Sequence, residues 1–391
     1  MSRVLAGPWA GQLLGDYGAD VVKVERPGAG DDTRQWGPPW LAGKEGGESA
    51  YFLSTNRNKR SITIDLSTEH GQALMRELVG KADVVIENFK VGTLDRYGLD
   101  AASMLAINPR LIVCSISGFG RTGPRASEPG YDAMIQASAG LMSITGEPDE
   151  VGGGPQKVGV AIADIMAGMY AVTAVLAALN ARAVSGRGQH IDVPLYDSQV
   201  AWLANQNMNF LVGGMVPGRM GTGHPNLVPY QAFPTADGAI MLAVGNDRQF
   251  AATMDCLGLG EYATDPRFAR NRDRIHNRAS LVAMMTEAFA TQGSAHWIAE
   301  LMARGVPAGP INDIREVLTN EHAQQRGLVR TLDNSAGDTV PMVANPVMFD
   351  ATPVRYERAP PLLGEHTEEV LQEWLGYSPE RIAALRNATV I

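Results

Sequence analysis

Cysteine is almost absent from this sequence of 391 residues, which holds only Cys114 and Cys256, far apart and each in an apolar segment. Two isolated cysteines provide neither a disulfide framework nor the paired spacing of a zinc site, so we expect reduced thiols in a cytoplasmic protein. Positive charge is also scarce, because 33 Lys and Arg residues stand against 42 Asp and Glu residues. The net charge of −9 argues against a nucleic-acid-binding face and leaves any anionic ligand to local basic clusters.

Several common catalytic motifs are missing as well. There is no Walker A loop, no H-E-x-x-H pair among the seven histidines and no G-x-S-x-G nucleophile elbow. The stretch "GFGRTG" at 118–123 has the spacing of a dinucleotide fingerprint, but Pro124 and Pro129 follow it, so no helix can open there to receive a pyrophosphate. We therefore predict a glycine-rich turn at this point, no metal site and no tightly bound cofactor.

Long apolar runs are limited to one, "KVGVAIADIMAGMYAVTAVLAALNA" at 157–181, where Asp164 is the only charged side chain after Lys157. The run is long enough to raise the question of a membrane span, but Asp164, Thr173, Asn180 and the many Ala and Gly residues favour a buried core helix. We expect no membrane partner. A lone carboxylate in such surroundings is costly unless it is satisfied or used. Composition alone favours a helix cap, with catalysis as the open alternative.

In the first half of the chain, short apolar runs alternate with helical patterns. The predicted strands are "DVVKVER" (20–26), "SITIDL" (61–66), "DVVIENF" (83–89) and "LIVCSISGFG" (111–120). With helices predicted at 8–18 and 68–82, this alternation is typical of a mostly parallel sheet covered by helices on both faces. A Gly- and Pro-rich segment at 213–233 then precedes the strand and helix patterns of a second, smaller α/β domain.

These patterns predict an α/β protein with two domains. The large domain takes residues 1–200 and is completed by 328–391, and the small domain takes 226–310. The connecting segments are a linker with a Gly-rich loop at 201–225 and a second linker at 311–327.

A basic cluster, "NRNKRS" at 56–61, stands just before a predicted strand. It reads equally well as a solvated turn or as a phosphate site, to which Arg26 and Arg96 could contribute, because ligands bind at the ends of parallel strands in such sheets. The sequence leaves both interpretations open.

Eight segments, in this order, resemble the class III coenzyme A transferases, the CaiB/BaiF or formyl-CoA transferase-like family. They are "RVLAGPWAGQLLGDYGADVVKVERPGAGD", "NRNKRSITIDL", "DVVIENF", "GYDAM", "SGRGQHIDVPLYDS", "HPNLVPYQAF", "GVPAGPI" and "APPLLGEHTEEVL". Within the family, "GAGDDTRQWGPPW", "GLMSITG" and "GVAIADIMAGMYA" are most similar to the succinyl-CoA:glutarate (succinate–hydroxymethylglutarate) transferases. The resemblance implies a Rossmann-like large domain, linkers that join both domains into a ring, and a homodimer of two interlocked rings.

The resemblance also implies an activity and its residues. Asp164 aligns with the family's nucleophile, which forms an aspartyl anhydride and then an aspartyl-CoA thioester while CoA passes from an acyl-CoA, here succinyl-CoA, to a small dicarboxylate. Arg34 is our candidate for binding the remote carboxylate of that dicarboxylate, because a buried charge needs a partner. The other implied residues are Val4, Leu5, Arg26, Asn88, Phe89 and Arg96 for CoA, Trp36, Tyr51, Tyr131 and Asp132 for the acid pocket, and Gly221 and Gly223 for a mobile loop that covers the site.

One departure and two alternatives accompany the resemblance. Family members begin with a strand of the type "GIRVLDLT" ahead of "RVLAGP", where this sequence has Met1 and Ser2, so either the start is assigned too late or a strand near the middle of the sheet is missing. An α-methylacyl-CoA racemase would need a histidine base where Tyr131 stands, and tyrosine is a poor base near neutral pH. A non-catalytic CoA-binding protein is the second alternative, and the presence of Asp164 argues against it.

Overall fold

Ten strands and seventeen helices make up the fold in the computed structural model, which describes residues 1–391. The strands are β1 Val21–Glu25, β2 Lys59–Thr63, β3 Val84–Glu87, β4 Ile112–Ser117, β5 Gln189–Pro194, β6 Tyr230–Thr235, β7 Gly238–Ala243, β8 Ala308–Pro310, β9 Val329–Asp333 and β10 Thr339–Val343. The helices are α1 Ala6–Asp16, α2 Ala50–Leu53, α3 Glu69–Lys81, α4 Ala101–Ile107, α5 Asp132–Ser138, α6 Leu141–Ile144, α7 Ile162–Ser185, α8 Leu195–Trp202, α9 Asn205–Gly213, α10 Asp247–Cys256, α11 Asn271–His276, α12 Arg278–Phe289, α13 Ser294–Ala303, α14 Ile314–Thr319, α15 Glu321–Arg326, α16 Thr367–Leu375 and α17 Pro379–Asn387.

The chain forms two compact units. Unit 1 comprises Met1–Leu141, Val158–Met215 and Glu321–Ile391, and unit 2 comprises Met142–Lys157 and Val216–Asn320. Unit 1 is built on two parallel sheets, β1–β2 and β3–β4–β5, and also carries the antiparallel hairpin of β9 and β10. The predicted parallel strands and the helices α1 and α3 are confirmed.

Unit 1 has an apolar core on each face of its sheets. In β4, Val113 belongs to the cluster that includes α3 and α16, whereas its neighbours Ile112 and Cys114 belong to the cluster formed with α1 and α7. This alternation follows from the period of two in a strand, which sends successive side chains to opposite faces. Helices therefore cover both faces of the sheet, as the sequence predicts.

Helix α7 is the predicted apolar helix and extends to Ser185. By length and composition alone it could cross a membrane, a property that it shares with the core helices of many soluble proteins. One face is buried and consists of small or β-branched residues, namely Ala163, Ala167, Gly168, Ala171, Val172, Val175 and Ala178. Gly168 is required there, because a Cβ at this position would lie 2.8 Å from the carbonyl oxygen of Ala6 in α1. The opposite face exposes Met169, Tyr170 and Leu176.

A gap that no strand fills separates the two parallel sheets of unit 1. The edges of β1 and β3 line one cavity of about 540 Å³, which we call the β1–β3 slot. Gly11 of α1 and Val175 of α7 border the slot on one side, and Leu78 of α3 borders it on the other. The slot lies where the resemblance to class III CoA-transferases predicts a strand near the middle of the sheet.

The basic cluster at 56–61 fits neither of its two interpretations. Arg57, Lys59 and Arg60 are buried, with exposed fractions of 5%, 3% and 4%. Their partners are Asp16 for Arg57, three oxygens of Pro8, Thr55 and Asn56 for Lys59, and Asp20, Glu369 and Glu373 for Arg60. The cluster therefore links α1 and α16 to β2, and its cationic groups already have acceptors within the chain.

Unit 2 contains the antiparallel sheet β6–β7–β8, with helices α10 to α13 around a core that includes Phe233 and Phe250. The structure also assigns Met142–Lys157 to unit 2, whereas the sequence analysis placed these residues in the large domain. Hydrogen bonds explain the difference, because the Gly221 amide donates to the Gly146 carbonyl at 3.0 Å and the segment is held within unit 2. The second predicted linker divides at Glu321, where the chain returns to unit 1.

Candidate active site

Asp164 lies in the first turn of α7, two residues after the helix begins at Ile162. The N-cap position is occupied by Ala161, which has no capping side chain. Oδ1 of Asp132, from α5, instead accepts a hydrogen bond from the backbone N–H of Ala163 at 2.8 Å. A neighbouring helix thus supplies the cap, and the interpretation of Asp164 as the cap is wrong.

The Asp164 carboxylate accepts no hydrogen bond from the chain, although the residue is partly buried. Burial in the first place, and then the negative charge of Asp132, raise the pKa of Asp164 from 3.8 to about 7. Buried polar groups in proteins are normally hydrogen-bonded, so an unpartnered carboxylate at the start of a helix is a candidate for chemistry.

A buried glutamine that the sequence analysis missed holds this arrangement in place. The amide nitrogen of Gln136 donates to Oδ2 of Asp132 at 2.7 Å and to the Val160 carbonyl at 3.3 Å. Its amide oxygen accepts from the Val158 N–H at 2.8 Å. Gln136 therefore fixes both Asp132 and the segment that leads into α7. The sequence did contain one indication of this contact. Gln136 follows Asp132 by four residues, which places both side chains on one face of α5.

Replacing Asp132 with Asn should shift the pH dependence of the reaction at Asp164. The substitution removes a negative charge that raises the pKa of Asp164, so this pKa should fall and the acid limb of kcat/KM should move to lower pH. We expect a displacement of roughly 0.5–1 pH unit, measured from initial rates between pH 5 and 9. The exposed Glu128→Gln variant is the control and should keep the wild-type profile. An unchanged profile in a folded Asp132→Asn variant would contradict the electrostatic coupling.

Two of the predicted pocket aromatics pack against each other near Asp164. The rings of Trp36 and Tyr51 meet edge to face, with centroids 5.1 Å apart. Burial, followed by the charges of Asp164 and Asp132, raises the pKa of Tyr51 to about 12. The Tyr51 phenol therefore stays protonated and can donate a hydrogen bond. Tyr131 is 66% exposed and stands at the N-cap of α5, directly before Asp132.

Arg34 is built into the interior of unit 1, contrary to its predicted place in the substrate pocket. Its guanidinium donates to both carboxylate oxygens of Glu25, at 2.9 and 2.7 Å, and to Glu48 at 2.8 Å. It also donates to the Pro361 carbonyl and stacks over Phe52, with its central carbon 3.7 Å from the ring centroid. Arg34 is only 7% exposed, and its charge is paired within the chain. Its role is therefore structural, and the geometry does not support a contact to the substrate.

The residues predicted to bind CoA follow the carboxyl ends of β1 and β3. Asn88 comes directly after β3, and its side-chain amide exchanges two hydrogen bonds with the backbone of Arg3, at 2.9 and 2.7 Å. Arg26, directly after β1, and Arg96 are exposed and form no ion pair within the chain. Phe89 packs partly buried against the α3 cluster. Ligands of parallel sheets bind at this edge, where two unpaired arginines can receive an anion.

Val4 has a strained backbone beside this edge. Its φ is +68°, a left-handed conformation that costs a β-branched residue about 1–2 kcal/mol. The Val4 N–H donates to Oδ1 of Asp31 at 3.2 Å, and Asp31 is in turn held by Lys23 at 2.7 Å. Leu5 follows as the N-cap of α1 and has no capping side chain. Strain of this kind persists where the surroundings impose it, often at functional sites.

The two glycines of the predicted covering loop lie in unit 2. Gly221 has a φ of +56° and approaches Glu147 so closely that a Cβ would lie 2.6 Å from its carboxylate. Gly223 sits in a tight turn and donates its N–H to the Met220 carbonyl at 2.8 Å. These contacts describe an ordered turn within unit 2, and its role as a cover for Asp164 stays a prediction.

Unit 1 has an α/β fold with an unpartnered carboxylate, Asp164, at the start of α7. At the carboxyl edge of its parallel strands, exposed arginines can receive an anionic ligand. The chain belongs to the CoA-transferase family III, whose family model matches residues 1–367. It is therefore a transferase enzyme, as the sequence analysis predicts.

Known relatives and one solved structure agree with this assignment. The chain is 50% identical over 375 residues to the succinate–glutarate CoA-transferase of Agrobacterium fabrum, a match that covers 95% of this chain and 93% of that protein. It is 40% identical over 391 residues to the succinyl-CoA:glutarate CoA-transferase of Homo sapiens, covering 100% of this chain and 88% of that protein. The crystal structure of a CaiB/BaiF family protein from Brucella suis superposes with a TM-score of 0.83 at 49% identity, covering 96% and 97% of the two chains.

Proposed function

We propose that this enzyme transfers CoA from succinyl-CoA to a small dicarboxylate such as glutarate, with Asp164 as the covalent nucleophile. The Asp164 carboxylate attacks the thioester carbonyl, the C–S bond breaks, and CoA leaves as a thiolate from a mixed anhydride. The thiolate attacks the aspartyl carbonyl of this anhydride, which releases succinate and leaves an aspartyl-CoA thioester. The acceptor carboxylate then attacks the thioester, and CoA returns to the acceptor acyl group through a second anhydride, which regenerates Asp164.

The observation that carries this proposal is that the chain provides no hydrogen-bond donor to the partly buried carboxylate of Asp164. A carboxylate without donors keeps its lone pairs available for attack, and its raised pKa indicates a more basic group than a solvated aspartate. Exposed Arg26 and Arg96 provide charges for the CoA phosphates. The protonated phenol of Tyr51 provides a donor for the oxygen that becomes negative during the attack.

The relatives support this substrate pair, because two of them are named for succinate or succinyl-CoA and glutarate. Incubating the enzyme with succinyl-CoA and a panel of acids should give glutaryl-CoA and other C4–C6 dicarboxylyl-CoA products, detected by mass spectrometry. Asp164→Ala protein is the control for background exchange. A clear preference for oxalate or carnitine would contradict the dicarboxylate assignment, and no exchange with any acid would favour the non-catalytic CoA-binding alternative.

Assembly as an interlocked homodimer is part of the proposal. Besides the exposed face of α7, the helix α9 exposes Phe210, Leu211 and Val212, with exposed fractions of 52%, 71% and 79%. Exposed apolar surface of this extent is typical of a protein–protein contact. A second copy that covers these faces would fit the homodimer of two interlocked rings that the family resemblance implies, and we place the dimer in the cytoplasm.

Light scattering at low micromolar concentration should therefore give twice 41.8 kDa. The mass should not fall on tenfold dilution, because threaded chains cannot separate without unfolding. Leu211→Glu, within the exposed part of α9, should lower the Tm of the dimer, whereas Val151→Glu, which is 71% exposed and lies on neither α7 nor α9, is the matched control. A well-behaved monomer of wild-type protein would contradict the interlocked arrangement.

A further inference from the structure

The glycine-rich turn at 118–123 brings one arginine back over the carboxyl ends of the parallel strands. The turn follows β4 directly, and Gly120 has a φ of +88°, with its N–H donating to the Ser117 hydroxyl at 3.0 Å. This conformation favours glycine, which has no Cβ to clash. The next residue, Arg121, donates its backbone N–H to Oδ2 of Asp192 in β5 at 2.9 Å. The turn is therefore held against two neighbouring strands.

The Arg121 side chain joins two acidic groups that stand beside the residues predicted to bind CoA. Its Nη1 donates to Oε1 of Glu87, the last residue of β3, at 3.3 Å. Its Nη2 lies 3.8 Å from Oδ2 of Asp95, which directly precedes the exposed Arg96. With Asp192 also bonded to this turn, three carboxylates surround Arg121. Their charges oppose a phosphate at Arg121 itself, so its geometry is better suited to holding its neighbours in place.

Glu87 extends these contacts toward the start of α1. It is 2% exposed, and its Oε2 accepts the backbone N–H of Phe89 at 2.9 Å, while the Ser115 side chain forms a further hydrogen bond with the carboxylate. The bond to Phe89 closes a turn around Asn88. The side-chain amide of Asn88 exchanges two hydrogen bonds with the backbone of Arg3, at 2.9 and 2.7 Å. The two residues that follow Arg3 are themselves predicted to bind CoA.

We propose that Glu87 and Arg121 are positioning residues that fix the carboxyl edge of unit 1 for the nucleotide part of CoA. The proposal rests on the proposed function, because it concerns the same acyl-CoA substrate. The contacts of the pair reach every residue predicted to bind CoA except Arg26, either directly or through the adjoining backbone. Neither side chain has to touch CoA. A site that is held in one geometry binds its ligand at a lower entropic cost than a mobile site.

Two thioester donors separate positioning from general damage to the enzyme. Succinyl-CoA carries the adenosine and the phosphates, whereas succinyl-pantetheine has the same thioester without them. In Glu87→Gln, KM for succinyl-CoA should rise about five- to tenfold, while kcat and KM for succinyl-pantetheine stay within about twofold of the wild type. KM does not depend on the folded fraction of the preparation, so partial unfolding cannot produce this difference. Rates are measured at pH 8, because burial raises the pKa of Glu87 above its usual value.

The sign of the change in KM separates positioning from simple attraction of charges. Removing the negative charge of Glu87 would by Coulomb attraction alone tighten the binding of a phosphate, so a rise in KM reports lost positioning. Arg121→Lys keeps the positive charge but loses the planar fork that joins Glu87 to Asp95, and it should also raise KM for succinyl-CoA alone. The double variant should show no larger rise than the stronger single variant, because the two residues act as one unit.

A binding measurement keeps this test separate from the proposed function. Titration calorimetry of free CoA into Asp164→Asn protein should give a Kd that rises about five- to tenfold when Glu87→Gln is added. Arg187→Gln, exposed near the amino end of β5, is the control and should leave Kd and both KM values unchanged. Equal rises in KM with both donors, or an unchanged Kd, would overturn the positioning role. Wild-type protein that binds CoA but exchanges neither donor would contradict the proposed function, and the titration would still decide the positioning role.

Discussion

Replacing Asp164 with Asn abolishes CoA exchange and, at alkaline pH, stabilises the folded protein. The amide cannot form the anhydride or the thioester, so we expect exchange to fall by at least about 10³-fold. The raised pKa predicts the change in stability. Between pH 4 and about 7 the folded protein binds a proton at Asp164 that the unfolded chain has released, so stability is lost as pH rises through this window.

The Asn variant has no charge at this position. The difference between its free energy of unfolding and that of the wild type should grow from nearly zero at pH 4 to about 2 kcal/mol at pH 8, a value discounted for the partial exposure of residue 164. Urea unfolding at several pH values measures this difference. The exposed Asp350→Asn variant is the control and should match the wild type at every pH. A folded Asp164→Asn protein that still exchanges CoA would contradict the nucleophile. So would wild-type protein that, after incubation with succinyl-CoA, carries a hydroxylamine-sensitive adduct on another peptide.

Replacing Arg34 with Ala destabilises the protein rather than changing its choice of acid. The buried Glu25 and the partly buried Glu48 lose their shared cation, and breaking a buried ion pair by removing one partner typically costs about 3–5 kcal/mol. Burial tends to raise the pKa of Glu25, while Arg34 and Lys23 lower it below its usual value. Without Arg34 that pKa should rise, so the loss of stability should be larger at pH 8 than at pH 5.

Arg26 provides the matched control for Arg34, because it is an exposed arginine without an ion pair in the same part of unit 1. Arg26→Ala should leave the free energy of unfolding within about 0.5 kcal/mol and raise KM for succinyl-CoA. Urea unfolding and initial rates on the same preparations separate the two effects. A stable Arg34→Ala protein that has lost its preference for dicarboxylates would restore Arg34 to the substrate pocket.

Local sequence patterns were sufficient for many of the elements, whereas the role predicted for Asp164 came from the family resemblance and stays a prediction. The apolar runs predicted β1, β3 and β4, because a strand covered on both faces needs continuous apolar residues. The isolation of Asp164 in an apolar helix left a helix cap and catalysis both open, with composition in favour of the cap, and the structure shows a carboxylate that accepts no hydrogen bond from the chain.

Contacts between residues that are far apart in the sequence could not be predicted from local patterns. Arg60 looks solvent-exposed in a basic cluster, yet it pairs with carboxylates of α16 that lie 309 and 313 residues further along the chain. Arg34 looked available for the same reason, while its acceptors include a carbonyl 327 residues away. The cap of α7 was missed because Asp132 reaches it from 31 residues upstream. Burial of charge depends on tertiary packing, and composition carries little information about it.

A group with a pKa of about 7 also sets the proton balance of the first half-reaction. At neutral pH a substantial fraction of the resting molecules hold a proton on Asp164, and in the proposed mechanism covalent loading with CoA must release it. Formation of the thioester is therefore expected to liberate protons near pH 7 and almost none at pH 9, where Asp164 is already ionised. The measured heat of that step consequently depends on the ionisation enthalpy of the buffer, even though the overall exchange of one carboxylate for another is proton-neutral.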